Sequence, residues 1–275
     1  MKPYYKTSSC ALYQCDNLDL MKSLPDNYID LIYCDILYGT GRSFKDYKDL
    51  KADKEIIANH YIPRIIEMRR LLKDTGSIYL QMDTRINHWL RIICDDIFGY
   101  NNFKNELSWC YRSAGFKKDS YSPKHDVILF YTKSNTHTFN LNDVRETTIT
   151  SSMQKTWGKQ IEKYGGYYAK AGNGKEYFRS AYSPPLDWFE LGILPPHDKE
   201  RLNYDTQKPK HVLEKVIKAS SNKNDIIADF YMGSGTTGEV TLDLDRRFIG
   251  CDIGDRACKI SQERLEKLHN DRSLL

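Results

Sequence analysis

The stretch that decides the fold is "ADFYMGSGTTGEV", residues 228–240. The apolar run "DIIADFY" (225–231) leads into it and predicts a buried strand, and "TTGEV" predicts the first turn of a helix. Gly233 and Gly235 allow the backbone to approach a ligand closely, and a helix N-terminus offers free N–H groups. The stretch therefore predicts a nucleotide-binding strand–loop–helix unit within an α/β fold.

The glycine spacing alone does not decide which nucleotide this loop binds. With Gly238, the loop also satisfies G-x-G-x-x-G, which opens dinucleotide-binding folds and is followed by a ribose-binding acid about 20 residues later. Here the loop comes late, with only residues 239–275 after it, and the acid at the next strand end is Asp252. Asp229, just before the loop, places a carboxylate where it attracts a cation such as the sulfonium of S-adenosylmethionine. These features favour that cofactor and disfavour a nicotinamide-dependent dehydrogenase.

Composition excludes several classes of protein. The hydrophobic fraction is 40%, and no segment has the length of apolar sequence that a membrane span needs. The N-terminal "MKPYYKTSSC" lacks the apolar core of a signal peptide, so we expect a cytoplasmic protein without membrane contact. The seven cysteines are scattered without a C-x-x-C pair, which predicts reduced thiols and no metal site.

Short apolar runs alternate with helical stretches, a pattern typical of a mainly parallel sheet covered by helices. Seven strands are predicted, at residues 10–15, 29–34, 77–82, 106–112, 126–132, 225–231 and 247–252. Helices are predicted at about 17–24, 54–73, 84–98, 207–221, 236–244 and 254–270.

The segment between about 134 and 204 breaks this rhythm and predicts a loop-rich insert. The net charge of +4 is mild, but "RSAGFKKDSYSPKH" (112–125) and residues 155–179 interleave Lys and Arg with aromatic residues. That mixture suits phosphate contacts and base stacking, and equally a solvated loop surface with aromatic packing.

Three motifs together resemble a known family. "ADFYMGSGTTGEV" resembles the D-P-F-x-G-S-G-T-T cofactor motif of bacterial DNA amino-methyltransferases, and "YDTQKPKHVLEKVIKASS" (204–221) resembles their T-Q-K-P helix. "IDLIYCDILYGTGRSF" (29–44) resembles their catalytic segment, D-P-P-Y. The catalytic motif precedes the cofactor motif, as in the permuted β class. The resemblance covers nearly all of the chain except about 135–195.

The resemblance implies a Rossmann-like methyltransferase fold: a mixed, mostly parallel seven-stranded sheet flanked by helices. It assigns residues 1–134 to the catalytic half, 135–203 to a target-recognition insert and 204–275 to the cofactor half. It implies methyl transfer from S-adenosylmethionine to an exocyclic amino group of double-stranded DNA, without a metal. An Asp in the first catalytic position favours adenine N6 over cytosine N4. The family leaves open a homodimer and a cognate restriction nuclease.

The catalytic residues that the resemblance implies are Asp35, Tyr38 and the backbone carbonyl of Ile36. A carboxylate and a carbonyl that accept the N–H groups of the target favour tetrahedral nitrogen, and an aromatic face stacks on the flipped base. An alternative role for Asp35 is that of a capping acid at the end of its strand.

The remaining matched positions belong to the cofactor site. Asp16 matches an adenine-binding acid, although it equally suits an N-cap, and Lys208 suits either the cofactor or a solvated helix turn. The full set that the resemblance implies is Asp16, Gln207, Lys208, Pro209, Asp229, Phe230, Tyr231, Gly233, Ser234, Gly235, Thr236, Thr237 and Asp252.

The chain departs from the family where Ile36 and Leu37 replace two prolines. Their N–H groups need partners, and we expect a less firmly held loop. This departure motivates a non-enzymatic alternative, a DNA-binding relative that has lost activity. A protein-glutamine or RNA methyltransferase is a further alternative, which the motif order and the insert disfavour.

Overall fold

The computed structural model describes residues 1–45, 47–195 and 197–273. The chain divides into two compact units, of which one comprises residues 1–139 and those from 187 onward and the other Asn140–Leu186. Within the described ranges, no helix has the length and apolar character needed to cross a membrane.

The strands follow the chain in this order: β1 (Tyr5–Lys6), β2 (Cys10–Gln14), β3 (Ile29–Asp35), β4 (Leu72–Met82), β5 (Phe103–Cys110), β6 (His125–Thr132), β7 (Glu146–Thr147), β8 (Gly166–Lys170), β9 (Glu176–Ser180), β10 (Tyr182–Ser183), β11 (Trp188–Glu190), β12 (Ile226–Asp229) and β13 (Arg247–Asp252). The helices are α1 (Asn17–Ser23), α2 (Lys54–Leu71), α3 (Asn87–Phe98), α4 (Ser151–Tyr164), α5 (Lys210–Ser220), α6 (Thr236–Asp243) and α7 (Asp255–Ser273).

The larger unit is built on one sheet with the strand order β1-β2-β13-β12-β3-β4-β6-β5-β11. The five strands β2, β13, β12, β3 and β4 run parallel to one another, β1 is antiparallel to β2, and β6 is antiparallel to both β4 and β5. The late strand β12 therefore lies directly beside the early strand β3. Because their carboxyl ends meet at one edge, the two sequence halves share a single ligand-binding edge, as the permuted motif order predicts.

The predicted mixed, mostly parallel sheet is confirmed, with two additions. All seven predicted strands are present, and the described residues add β1 and β11 at the two edges, which makes nine strands. These additions have two and three residues, which is too short for a periodic signal in the sequence. Predicted and observed helices agree to within about three residues at each end, which is the usual uncertainty of helix boundaries.

Helices cover both faces of the sheet. On one face, α1, α2 and α3 bury residues such as Met21, Ile57 and Leu90 against Ile32 and other sheet residues. On the opposite face, α5 and α6 contribute Val212, Leu213, Val216, Ile217 and Val240 to a second cluster that includes Leu31 and Tyr33. Successive residues of β3 thus point into different cores, so a near-continuous apolar strand is buried on both sides.

The unit Asn140–Leu186 is more regular than a loop-rich insert, so that expectation is wrong. It contains α4 and an antiparallel hairpin of β8 and β9. Thr150 caps the helix, a left-handed Gly165 ends it, and Met153, Trp157 and Ile161 recur on one face. The many Gly, Lys and Thr residues obscured this spacing in the sequence. The unit is also shorter than the segment 135–203, because β11 pairs with β5 in the larger sheet.

Gly238 illustrates how tightly α6 packs on the sheet. A Cβ atom there would lie 2.7 Å from the buried ring of Phe248. We expect Gly238→Ala to lower the free energy of unfolding by about 1–2 kcal/mol, because the cost of overpacking exceeds a helix-propensity gain of about 1 kcal/mol. Urea denaturation measures the change.

The control is Gly158→Ala in α4, where the added methyl would meet only the flexible end of Gln154. There the propensity gain should stand alone and raise stability. Equal stabilisation by both substitutions would contradict the packing argument.

Candidate active site

A cavity of about 560 Å³ opens at the carboxyl edge of the central parallel strands. This volume lies within the usual range for small-molecule sites, about 300–1,000 Å³. The residues singled out in the sequence line it, except for Gln207, Pro209 and Gly235. Those that line it are Asp16, Asp35, Ile36, Tyr38, Lys208, Asp229, Phe230, Tyr231, Gly233, Ser234, Thr236, Thr237 and Asp252.

The three exceptions shape the surroundings of the cavity. The Gln207 amide donates to the Glu200 carbonyl and accepts from the Leu202 N–H, so it braces the segment before α5. Pro209 stands at the N-cap position of α5. Gly235 has φ +74° at the start of α6, and a Cβ atom there would lie 2.7 Å from the Ser261 hydroxyl.

Gly233 belongs to the part of the glycine loop that lines the cavity. Its φ is +50°, and a Cβ atom would lie 3.3 Å from the ring of Tyr204. Its N–H donates to Asp252 Oδ2 at 3.0 Å, and its carbonyl accepts from the Ser261 hydroxyl. Behind the loop, Arg264 donates to the Ser234 carbonyl. The loop is therefore held from both sides before any ligand binds.

Asp229 ends β12 beneath this loop and is almost completely buried. Its carboxylate accepts from the Tyr231 N–H and the Thr237 hydroxyl. Burial raises the pKa of Asp229 to about 7, although these two hydrogen bonds favour the charged form. A cation in the cavity would favour the ionised carboxylate.

Asp16 confirms the N-cap interpretation. Its Oδ1 accepts from the Leu18 N–H at 2.7 Å, at the start of α1. The same carboxylate also forms an ion pair of 2.8 Å with Arg64 on α2. Asp16 and Arg64 both line the cavity. The capping role of Asp16 is therefore compatible with a contact to a cofactor, which stays a proposal.

The charges around the cavity favour a cationic ligand over a pyrophosphate. Its positively charged neighbours Arg64 and Lys208 each form an ion pair with a carboxylate, and Lys48 also lies in the wall. Five acids line the same cavity: Asp16, Asp35, Asp49, Asp229 and Asp252. A buried anion placed among them would be strongly disfavoured. The geometry therefore argues against a dinucleotide at the glycine loop.

Asp35, the last residue of β3, is the centre of the catalytic segment. Its Oδ1 accepts from the Tyr38 hydroxyl at 2.8 Å, and its Oδ2 lies 2.8 Å from Lys208 Nζ. Burial raises the pKa of Asp35, and the Lys208 ammonium opposes that shift. Lys208 thus lies against the Asp35 carboxylate, a contact that the sequence did not predict.

Comparison with known proteins shows which family the chain belongs to. A family model described as a DNA methylase, N6_N4_Mtase, matches residues 29–263. The chain belongs to this DNA methylase family. It is 33% identical over 260 residues to the type II methyltransferase M.HpaI of Haemophilus parainfluenzae, covering 93% of this chain and 74% of that one. It is 29% identical over 256 residues to the DNA adenine methyltransferase YhdJ of Escherichia coli K12, covering 91% and 81%.

Solved structures show the same fold. The cytosine-N4-specific PvuII DNA methyltransferase matches with a TM-score of 0.70 at 16% identity, covering 96% of this chain and 88% of that one. The M1.HpyAVI–SAM complex matches with a TM-score of 0.57 at 20% identity, covering 93% and 99%.

The methylase contains a buried polar cluster that the sequence did not reveal. Asp126 at the start of β6 accepts from the Tyr38 hydroxyl at 2.7 Å, from Gln81 Nε2 at 2.9 Å and from the Tyr111 hydroxyl at 3.0 Å. The Tyr33 hydroxyl in turn donates to Gln81 Oε1. The signal was present, since Gln81 and Asp126 are polar residues inside apolar strands. Their approach to Asp35 depends on the order β3-β4-β6 in the sheet.

The loop after the catalytic segment is held by Asp49, another residue that the sequence analysis missed. Its buried carboxylate accepts from the backbone N–H groups of Gly39 and Thr40. Phe44 and Tyr47 from the same loop stack with centroids 4.8 Å apart and line the cavity.

Hydrogen bonds and packing hold the Ile36–Leu37 backbone in the folded protein, and the expectation of a less firmly held loop stays a prediction. The Ile36 side chain is buried in the core, and its N–H donates to the Gln81 carbonyl at 3.0 Å. The Leu37 carbonyl accepts from the Tyr61 hydroxyl at 3.1 Å. These contacts restrain the backbone at the two positions where the family pattern has proline rings.

The same contacts predict that a proline at position 36 lowers the stability of the protein, an effect that the sequence alone did not indicate. On sequence alone, proline at both positions should keep or raise the turnover rate. In the structure, Ile36→Pro removes the N–H that binds Gln81, and an unsatisfied buried carbonyl costs about 1–3 kcal/mol. We expect the free energy of unfolding to fall by that amount in a urea titration.

Leu37→Pro is the matched control, because it leaves the Ile36 N–H and the Leu37 carbonyl in place. It should destabilise the protein less than Ile36→Pro. Two equally stable variants would show that the bond to Gln81 contributes little.

Proposed function

We propose that this chain transfers a methyl group from S-adenosylmethionine to N6 of adenine in double-stranded DNA. The observation that carries the proposal is the shared cavity. It brings Asp35, at the end of β3, to the same wall as Asp229 and the glycine loop that follows β12. A methyl donor and a flipped base must meet in one water-poor site, and this cavity joins a cofactor loop to a carboxylate acceptor.

The cofactor is S-adenosylmethionine. The buried carboxylate of Asp229 and the other acids of the wall suit its positive charge, and the positive φ of Gly233 gives the ligand close access to the backbone. The solved M1.HpyAVI–SAM complex has the same fold. When bound, the cofactor supplies an electrophilic methyl group. Asp16 and Asp252 are proposed for its adenosine portion, and residues 229–237 for its remaining part.

Asp35 is proposed as the acceptor for an N–H of the target amino group, together with the Ile36 carbonyl. Their hydrogen bonds draw the nitrogen lone pair away from the ring system and toward the methyl group. The ring of Tyr38 is proposed to stack on the flipped base. Its hydroxyl is bonded to Asp35 and Asp126, so the ring plane is fixed before the base arrives. Preorganisation of this kind contributes to rate because the acceptors need no rearrangement.

Adenine is proposed as the target because an Asp occupies the first catalytic position, where the cytosine-N4 enzymes of the family commonly have Ser. The similarity to YhdJ, named as an adenine methyltransferase, supports this choice. Cytosine N4 is the second candidate, because both bases present an amino group to the same acceptors.

The proposed DNA contacts begin at the loop 112–124, which lies between β5 and β6 at the active-site edge of the sheet. Phe116 and Tyr121 are exposed there, and Lys117 and Lys118 add positive charge. The segment 135–203 is proposed as the target-recognition region, with the hairpin of β8 and β9 exposing Tyr168 and Phe178. A homodimer and a cognate restriction nuclease remain part of the proposal, since relatives carry restriction–modification names.

Asp35→Ala tests the reaction and the target base. We expect it to abolish methyl transfer to mixed-sequence DNA while cofactor affinity changes less than about threefold, because the carboxylate acts on the base. Nucleoside analysis of wild-type product should yield N6-methyladenine. Asp74→Ala, an exposed acid on β4 outside the cavity, is the control and should stay active. N4-methylcytosine as the product would overturn the adenine assignment, and an active Asp35→Ala would overturn the mechanism.

Asp229→Asn tests the cofactor site through pH. Because burial raises the pKa of Asp229 to about 7, its carboxylate becomes charged as the pH rises through neutrality. Calorimetric affinity for S-adenosylmethionine should therefore increase between about pH 6 and pH 8 in the wild type. In Asp229→Asn it should be weaker by roughly tenfold or more and flat across that window.

Asp30→Asn is the matched control, since Asp30 is a half-buried acid on β3 outside the cavity, paired with Lys73. It should keep the pH dependence. An unchanged profile in Asp229→Asn would place the cofactor charge elsewhere.

A further inference from the structure

The Tyr38 hydroxyl lies between two carboxylates. Its oxygen is 2.8 Å from Asp35 Oδ1 and 2.7 Å from Asp126 Oδ2. A tyrosine hydroxyl has one hydrogen, so it can donate to only one of them at a time. When both acids are ionised, the other carboxylate faces the oxygen lone pairs at hydrogen-bond distance. The hydrogen-bonded series Asp35–Tyr38–Asp126 therefore has one hydrogen fewer than its two contacts need.

Among the described residues, the other donors do not supply that hydrogen between Tyr38 and Asp35, and Gln81 Nε2 also donates to the Tyr38 oxygen at 3.4 Å. On Asp126, Gln81 Nε2 and the Tyr111 hydroxyl are the additional donors. On Asp35, the additional donor is Lys208, whose Nζ lies 2.8 Å from Oδ2 and therefore on the other oxygen. Methylation of an amino group releases one proton. This proton would supply the hydrogen that the Asp35–Tyr38–Asp126 series lacks.

We propose that Asp126 is the proton acceptor of the methylase, connected to the catalytic Asp35 through the Tyr38 hydroxyl. This inference rests on the proposed function and extends it to a residue that does not touch the base. Asp126 is 5% exposed and does not line the cavity, so it acts only through Tyr38 and is a positioning residue rather than a catalytic one.

The proton transfers balance as follows. After the N–C bond forms, an N–H bond of the cationic methylated nitrogen breaks and an O–H bond forms on Asp35. Asp35 then passes its proton to the Tyr38 oxygen while the Tyr38 hydrogen moves to Asp126 Oδ2. The base is left neutral, Tyr38 is unchanged, Asp35 is again a carboxylate and Asp126 is an acid. The proton leaves Asp126 to water after product release.

Lys208 sets the direction of this transfer. Its ammonium lies 2.8 Å from Asp35 but 3.9 Å from Asp126. A proton on Asp35 would leave this nearly buried cation with only the more distant Asp126 carboxylate, whereas a proton on Asp126 preserves the 2.8 Å pair with Asp35. The two carboxylates outweigh burial and raise the pKa of Lys208, so it stays charged. The transfer thus restores the Asp35 acceptor for the next turnover.

The charged and titratable groups around the Asp35–Tyr38–Asp126 series come from several neighbouring elements. Tyr33 and Gln81 face it from β3 and β4, Tyr111 from the end of β5, and Lys208 from the segment before α5. Asp229 on β12 and Tyr47 in the loop after β3 interact electrostatically with Asp35. Of these groups, Lys208 is the positive charge in contact with the two acids.

Asp126→Asn and Tyr38→Phe test the proposal. Both keep the size of the side chain but interrupt proton transfer. We expect steady-state kcat on DNA to fall by about 10- to 100-fold. In Asp126→Asn, the single-turnover rate of methyl transfer should stay within about threefold, because Asp35 still accepts the first proton. The affinities for S-adenosylmethionine and DNA should not change, and kcat of the variants should rise with added small buffer bases.

Tyr111→Phe is the matched control. It also removes a hydroxyl bonded to Asp126, but Tyr111 does not connect Asp126 to Asp35. It should retain the wild-type ratio of single-turnover rate to kcat. An equal fall of both rates in Asp126→Asn would show a structural role, and an unchanged kcat would show that the proton leaves by another route. Either result, with an active wild type, overturns the inference while the proposed function stands.

Discussion

The parallel pairing of β12 with β3 is the constraint on which the rest of the structure depends. Ile227 lies opposite Leu31 and Ala228 opposite Ile32, although nearly 200 residues separate the two strands in the chain. Because both strands end at the same edge, their terminal acids, Asp35 and Asp229, open into one cavity. The glycine loop and the Asp35 carboxylate become neighbours through backbone hydrogen bonds, whichever of them comes first in the sequence. The permuted order therefore leaves the shared cavity intact.

Concentrating several carboxylates in one half-buried cavity has an electrostatic cost that the fold offsets unevenly. Arg64 and Lys208 neutralise Asp16 and Asp35, whereas Asp229 receives only neutral donors and has its pKa raised to about 7. Asp229 lies beneath the glycine loop, where a positively charged ligand would compensate its charge. Such perturbed groups are expected at functional sites, where burial is retained despite its cost.

The same edge of the sheet shows how a motif can lose its stiffening residues and keep its geometry. Where the family has prolines, this chain uses a buried side chain at Ile36, a ladder bond to Gln81 and a hydroxyl contact from Tyr61. Proline restricts the unfolded chain as well as the folded loop. Tertiary contacts act on the folded state alone, so the loop here depends on its surroundings more than a proline-stiffened loop does.

The sequence by itself determined the class of fold, the seven main strands and the six helices of the larger unit, because hydrophobic periodicity is a local signal. The resemblance of its motifs to the family added 13 of the residues that line the cavity. The sequence missed α4, whose apolar face is sparse, and the edge strands, which are too short to show a period. Only the tertiary structure decided that Lys208 pairs with Asp35, and that Asp126 shares the Tyr38 hydroxyl with it. Those contacts join residues that are far apart in the sequence. They form because the sheet has the strand order β12-β3-β4-β6, which no local sequence pattern indicates.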